Sequence, residues 1–245
     1  AMMGPEHCGV AIDIGTTTGV WALYDAQAKL LATVSALNQQ KHFGADVISR
    51  INHGIQNGNE VITRAIVHQL EDMLRKLAED ARVPRTSITH AVVTGNTTML
   101  HFFAGLDPHG IGFAPFIPKS LFDHFDHNIL QGVEVYMPSC VSAYVGADLV
   151  CGILASDMME KNQTALIVDI GTNGEMALVH KGELHCCSTA AGPAFEGASI
   201  SHGMTASGGR HAGAYPGALG WGAGGGWAFV KLSPGAAGHL PLGLN

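Results

Sequence analysis

The chain has little charge and no concentration of positive charge. Only 13% of its 245 residues are charged, the formal net charge is −7, and no run of Lys or Arg occurs. Nucleic-acid surfaces and polybasic membrane patches both need such a run, so neither is expected. No stretch of about 18 or more apolar residues is present, which argues against a membrane-spanning helix. The start, Ala1-Met2-Met3-Gly4-Pro5-Glu6-His7, lacks the basic-then-apolar order of a secretory leader. Cysteine is sparse and irregularly spaced, at Cys8, Cys140, Cys151, Cys186 and Cys187, with no Cys-x2-Cys pair. Neither a zinc ribbon nor a ferredoxin-type cluster can be built from that spacing. A reduced, cytoplasmic setting is the simplest reading. Cys186 and Cys187 fall in a strand-like segment and read as packing residues.

What is present is a globular composition, 47% hydrophobic, and a duplicated motif. Asp13-Ile14-Gly15-Thr16-Thr17-Thr18 is echoed by Asp169-Ile170-Gly171-Thr172-Asn173-Gly174. Each copy follows an apolar run and leads into another, so each predicts a strand, a glycine turn and a second strand. A strand end can deliver Asp13 or Asp169 to hold Mg²⁺ through water. Gly15 and Gly171 let backbone approach an anion closely. Successive N–H groups in the turn, with the hydroxyl or amide groups of Thr16, Thr17, Thr172 and Asn173, can bind phosphate oxygens. One copy alone is equally well an ordinary hairpin; the matched pair points to a polyphosphate gripped from two sides.

The order of elements predicts three strands over 9–14, 20–25 and 30–36, the second and third joined by a hairpin loop at 25–29. A short helix is expected over 45–54. A longer one over 60–82 is capped by Asn59 and stopped before Pro84. Residues 88–93 read as a buried strand ending in Thr94-Gly95-Asn96-Thr97-Thr98, with a helix beyond. Residues 107–132 read as an irregular excursion. In it, His124 and His127 lack a third ligand that spacing would place. A strand at 133–137 and a helix over 142–159 follow, with Gly146 and Ala147 allowing close packing near the helix start. Pro193 suits the first turn of a helix reaching about 204, with Gly192 open to a ligand and Glu196 on that turn. From 205 onward the chain is rich in Gly and Ala and reads as a flexible or aberrant tail.

The two turns resemble the phosphate-1 and phosphate-2 loops of the actin, Hsp70 and sugar-kinase superfamily. A closer resemblance rests on five segments in family order. They are Asp13-Ile14-Gly15-Thr16-Thr17-Thr18, Gly44-Ala45-Asp46-Val47-Ile48-Ser49-Arg50-Ile51, Gly95-Asn96-Thr97-Thr98-Met99, Asp169-Ile170-Gly171-Thr172-Asn173-Gly174-Glu175 and Ala191-Gly192-Pro193-Ala194-Phe195-Glu196-Gly197-Ala198. As a set they resemble the C-terminal ATPase domain of reductive activators of corrinoid proteins.

That resemblance implies an α/β, ribonuclease H-like actin/Hsp70-type ATPase fold of two lobes with mixed sheets. The lobes would be 8–145 and 146–204, the second truncated, with the Gly-rich tail at 205–245. It implies ATP and Mg²⁺ as cofactors, with Asp13 and Asp169 organising Mg²⁺–phosphate. Gly15, Thr16, Thr17, Gly171, Thr172 and Asn173 would cradle phosphate oxygens, with Gly192 and Glu196 near the nucleotide. The implied activity is ATP-driven reduction of a Co(II) corrinoid to Co(I) on a methyl-transfer partner. The electron would come from a separate iron–sulfur domain, with no cluster in this chain and a homodimer left open. The late adenosine motif of the superfamily is not recognisable after Met204; no Glu or Gln water-positioning base stands beside Pro138, and Asp148 is a candidate in its place. A small-molecule kinase of the same fold and a non-catalytic partner-docking module remain alternatives.

Overall fold

The computed structural model describes residues 7–159, 164–171, 173–190 and 226–231. The chain divides into two compact units, 1–151 and 152–245.

The first unit is built on a six-stranded mixed sheet. β1 (Cys8–Ile14), β2 (Thr18–Tyr24) and β3 (Leu30–Leu37) form an antiparallel meander. β4 (Ile88–Gly95) runs parallel to β1, and β6 (Glu134–Met137) parallel to β4. β5 (His124–Asp126) closes the far edge antiparallel to β6, giving the order β3-β2-β1-β4-β6-β5. The expected 25–29 turn is held by Asp25, whose Oδ1 accepts from the amides of Gln27 and Lys29, both at 2.9 Å.

Alternation along β1 decides which side chains serve the core and which the site. Cys8, Val10, Ile12 and Ile14 are buried, whereas Ala11 and Asp13 are exposed on the other face. The buried face receives helix α2 (Glu60–Ala81) through Ile62, Ile66, Leu70, Leu74 and Leu77. Each such side chain contributes roughly 1.5–3 kcal/mol by burial. Helix α1 (Val47–Asn57) starts in a capping box in which the Asp46 carboxylate accepts from the Ser49 amide and the Ser49 hydroxyl from the Asp46 amide. Arg82, at φ +57, ends α2. Helix α3 (Thr97–Phe103) begins at Asn96, whose side chain accepts from the Met99 amide at 3.0 Å.

Several local expectations are corrected. Asn59 occupies the α2 N-cap position but makes no capping bond, because its backbone is already helical (φ −89, ψ −16). The 107–132 excursion holds a single-turn helix α4 (His109–Gly112) and the strand β5. The helix expected over 142–159 is only α5 (Ala147–Ala155). Before it the amides of Val141 and Ser142 both turn onto the Val145 carbonyl, at 2.9 and 3.2 Å.

In the second unit, β7 (Ala165–Ile170), β8 (Asn173–His180) and β9 (Glu183–Ala190) form an antiparallel meander. β10 (Gly226–Lys231) joins the free edge of β7, antiparallel. This strand lies within the stretch read as a featureless tail. Its core, Trp227-Ala228-Phe229-Val230, has the aromatic and β-branched residues of a strand, masked in sequence by the glycines before it. The rest of 205–245 and the helix expected at 193–204 lie outside the described residues. Among the described residues no helix is long and apolar enough to cross a membrane, and no three His, Cys, Asp or Glu side chains converge as a metal cluster.

The packing of α2 makes a direct prediction. Leu70→Ala should cost about 2–5 kcal/mol in urea unfolding. Val61→Ala, on the 52% exposed side of the same helix, should change stability by no more than about 0.5 kcal/mol. Equal losses would contradict the assigned core face.

Candidate functional site

Asp13 is the penultimate residue of β1, opposite Val20 of β2 and Thr94 of β4. Its side chain is exposed on the face away from α2. The turn that follows requires glycine: a Cβ on Gly15 would lie 2.3 Å from the Thr18 carbonyl oxygen.

Three successive carbonyls of this turn are tied back into the protein. Gly15 O accepts from Asn38 Nδ2 at 2.8 Å, Thr16 O from Arg50 Nη2 at 2.6 Å, and Thr17 O from the Asn38 amide at 2.8 Å. Oxygens that would repel an anion are thereby engaged elsewhere. The Thr16 hydroxyl is buried and accepts from Asn96 Nδ2 at 2.9 Å, linking this turn to the β4–α3 junction. Thr17 is half-buried.

The start of α5 packs on the same junction. A Cβ on Gly146 would lie 2.4 Å from Asn96 Cα, 2.7 Å from Gly95 O and 2.6 Å from Asp148 Oδ1. Only glycine lets these backbones meet and brings Asp148 against them. Asp148 accepts from the Leu149 amide at 2.9 Å. Burial raises its pKa from 3.8 to about 6, partly offset by hydrogen bonds from the Leu149 amide and its own. Cys151, one turn on, lies among Thr94, Asp148 and Asp13. Burial raises its thiol pKa, and that of Cys140 to about 11. Both therefore stay as protonated thiols. Thr94 Oγ1 is buried without a well-formed hydrogen bond, the Cys151 thiol being the polar group beside it.

The second turn repeats the first in outline. Asp169 is again penultimate in its strand, and the Gly171 amide bonds across the turn to Asn173 O at 3.0 Å. Directly opposite Asp169 stands Glu175 of β8, followed in the same cross-strand row by Ser188 of β9. Opposed residues of an antiparallel pair share a face, with Cβ atoms roughly 4.5–5.5 Å apart. Glu175 is 5% exposed. It closes the 169–175 motif, and the sequence alone gives it no site role. The available signal was its place in the alternation of 173–180, where a carboxylate falls on the buried side. Thr172, Gly192 and Glu196 lie outside the described residues.

Thus the first unit brings Asp13, Gly15, Thr16 and Thr17 together with Asn38, Arg50, Asn96 and Asp148. The second brings together Asp169, Gly171, Asn173 and Glu175. An acidic strand end beside a glycine turn with engaged carbonyls fits a Mg²⁺-bound polyphosphate in donor chemistry.

Comparison with known proteins bears on the family and the fold. Residues 8–161 match the family described as the RACo middle region, and residues 163–210 the C-terminal domain of RACo, the ASKHA domain. The chain is 36% identical over 207 residues to the corrinoid activation enzyme RamQ of Eubacterium limosum, covering 80% of the chain and 34% of the relative. It is 28% identical over 216 residues to a Co(II) methylated amine-specific corrinoid protein reductase of Methanosarcina barkeri, covering 81% and 39%. The solved structure of a reductive activator for corrinoid, iron-sulfur protein aligns with a TM-score of 0.77 at 39% identity, covering 82% of this chain and 33% of that one. The chain therefore spans 33–39% of the length of these relatives.

Asp148 gives the site a pH signature. Its folded pKa is raised, so the folded state holds the proton more tightly than the unfolded one. That contribution to stability is complete below 3.8 and is lost as pH rises through about 6. Asp148→Asn should therefore gain stability relative to wild type across this interval and be at least as stable above it. Chemical unfolding of both proteins at several pH values checks this; a difference that does not change with pH would contradict the buried carboxyl.

Proposed function

The chain belongs to the RACo family, matching both its middle region and its C-terminal ASKHA domain, and on that premise we propose that it is the ATP-binding and hydrolysing part of a reductive activator of a corrinoid protein. Its fold is the mixed α/β type of actin, Hsp70 and the sugar kinases. The single observation that most supports a nucleotide role is the 13–18 turn, with its glycine-dependent close approach and its three engaged carbonyls.

In this reading Asp13 of the first unit, and Asp169 with Glu175 of the second, are the carboxylates that would hold Mg²⁺ through water. The turns at 15–17 and 171–173 bind phosphate oxygens, and Gly192 and Glu196 line the nucleotide. Asp148 orients the attacking water: its raised pKa suits a group that takes a proton near neutral pH. Mg-ATP supplies a phosphoanhydride whose cleavage is downhill. The chain couples that cleavage to an unfavourable one-electron reduction of Co(II) to Co(I) on the partner.

The partner is a corrinoid protein of a methyl-transfer system, as the names of the relatives suggest, and the setting is cytoplasmic. In this reading the electron comes from an iron–sulfur centre on a separate domain. Nucleotide promotes the reaction only to the extent that it binds one protein state better than another.

Mg-ATP at a hundredfold excess over its Kd should stabilise the wild type by about 2.7 kcal/mol. Asp13→Ala and Asp169→Ala should each abolish that gain while melting normally without ligand. Equal thermal shifts in all three proteins would remove the phosphate-site assignment.

A further inference from the structure

The segment Gly44-Ala45-Asp46-Val47-Ile48-Ser49-Arg50-Ile51 ties one carbonyl of the first turn, and it does so with a cation placed directly behind that turn. Arg50 is 0% exposed. Its Nε donates to Gly44 O at 2.9 Å, its Nη2 to Thr16 O at 2.6 Å, and its Nη1 faces Met99 Sδ at 3.3 Å. Asp46 is the acid that acts on it electrostatically. That carboxylate, however, is engaged with the Ser49 amide at 2.8 Å and forms no ion pair with Arg50. Burial lowers the guanidinium pKa only to about 10, so the charge persists at neutral pH.

A buried cation held by carbonyls and a thioether is costly unless an anion compensates it. Hydrogen bonding alone does not call for a charge here. Asn38, a neutral residue, ties the carbonyls on either side, Gly15 O and Thr17 O. Only the middle carbonyl is given to a cation. The Thr16 carbonyl and the Thr17 N–H belong to one planar peptide and point in opposite directions across it. Drawing on the carbonyl therefore makes the N–H end more positive.

We propose that Arg50 is a positioning residue that supplies the counter-charge for a polyphosphate on the 15–17 turn, acting through the Thr16–Thr17 peptide. This rests on the reading of that turn as a phosphate site and deepens it. The group recognised is the phosphate chain, with no contribution to the nucleoside. The 44–51 segment is then the device that carries this charge to the turn: its capping box fixes the first turn of α1, and Arg50 follows on the second.

Calorimetric titration of the full chain with Mg-ATP, inorganic tripolyphosphate and adenosine tests the proposal in wild type, Arg50→Gln, Arg50→Lys and Asn38→Ala. Arg50→Gln should lose about tenfold or more in affinity for tripolyphosphate, with a shallower salt dependence than wild type. Arg50→Lys keeps the charge but not the fork geometry, so it should lose less than Arg50→Gln without matching wild type, and Asn38→Ala should also lose less than Arg50→Gln. Equal tripolyphosphate affinity in wild type and Arg50→Gln overturns the proposal. So does an equal loss in the Gln and Lys variants, which would make the role one of geometry. Tripolyphosphate binding without Mg-ATP binding would leave the counter-charge standing and remove the nucleotide reading; a wild type that binds neither removes both. Should Arg50→Gln fail to fold, the pH dependence of Arg50→Lys decides. A buried lysine loses its proton at a lower pH than arginine, so tripolyphosphate affinity must fall with rising pH more steeply than in wild type. Parallel profiles overturn the proposal.

Discussion

The first unit depends on how the protein holds the carbonyl oxygens of a three-residue turn. Gly15, Thr16 and Thr17 would present oxygens to any ligand unless something else engaged them. Asn38 and Arg50 do so from the protein side. Much of the surrounding structure serves those two residues. Asn38 follows β3 and caps a short 3-10 helix, Gln39–Phe43. Arg50 rides on α1, whose start is locked by Asp46 and Ser49. Met99 of α3 touches both side chains, at 3.7 Å from Asn38 Nδ2 and 3.3 Å from Arg50 Nη1. A preorganised turn of this kind loses little entropy on binding an anion, because its dipoles are already fixed.

A second constraint is the alternation of β1. The same strand buries Ile12 and Ile14 against the helical layer and leaves Asp13 on the opposite face. The core face and the face that carries Asp13 are thus separated by one residue of register, and a slip would exchange them. Two glycines then control the approach to Asp13. Gly15 admits the tight turn, and Gly146 lets the start of α5 lie on the β4–α3 junction with Asp148 beside it. Burial of that carboxylate carries a stability cost at neutral pH.

Features with a strong local signal were legible in the sequence. The three-strand opening, the α2 stripe and both Asp-Ile-Gly turns follow from periodicity and turn chemistry. Gly146 as a close-packing point also reads correctly. What was not legible depends on partners distant in the chain. Nothing near Arg50 indicates that its guanidinium reaches Thr16, 34 residues earlier. Glu175 looks like an ordinary strand carboxylate until pairing sets it opposite Asp169. β5 and β10 are short, and each becomes a strand through pairing with a neighbour. The helix predicted over 142–159 failed for a local reason, the turn closed on the Val145 carbonyl, which periodicity cannot register.

The central claim is that the Asp-Gly turn of each unit is a phosphate-binding turn. Backbone amide shifts of Gly15, Thr16 and Gly171, followed by NMR during titration, test it most directly. The account predicts that all three move with Mg-ATP, that Gly15 and Thr16 also move with Mg-tripolyphosphate, and that none moves with adenosine. Saturable binding of Mg-ATP with these three amides unmoved would contradict it.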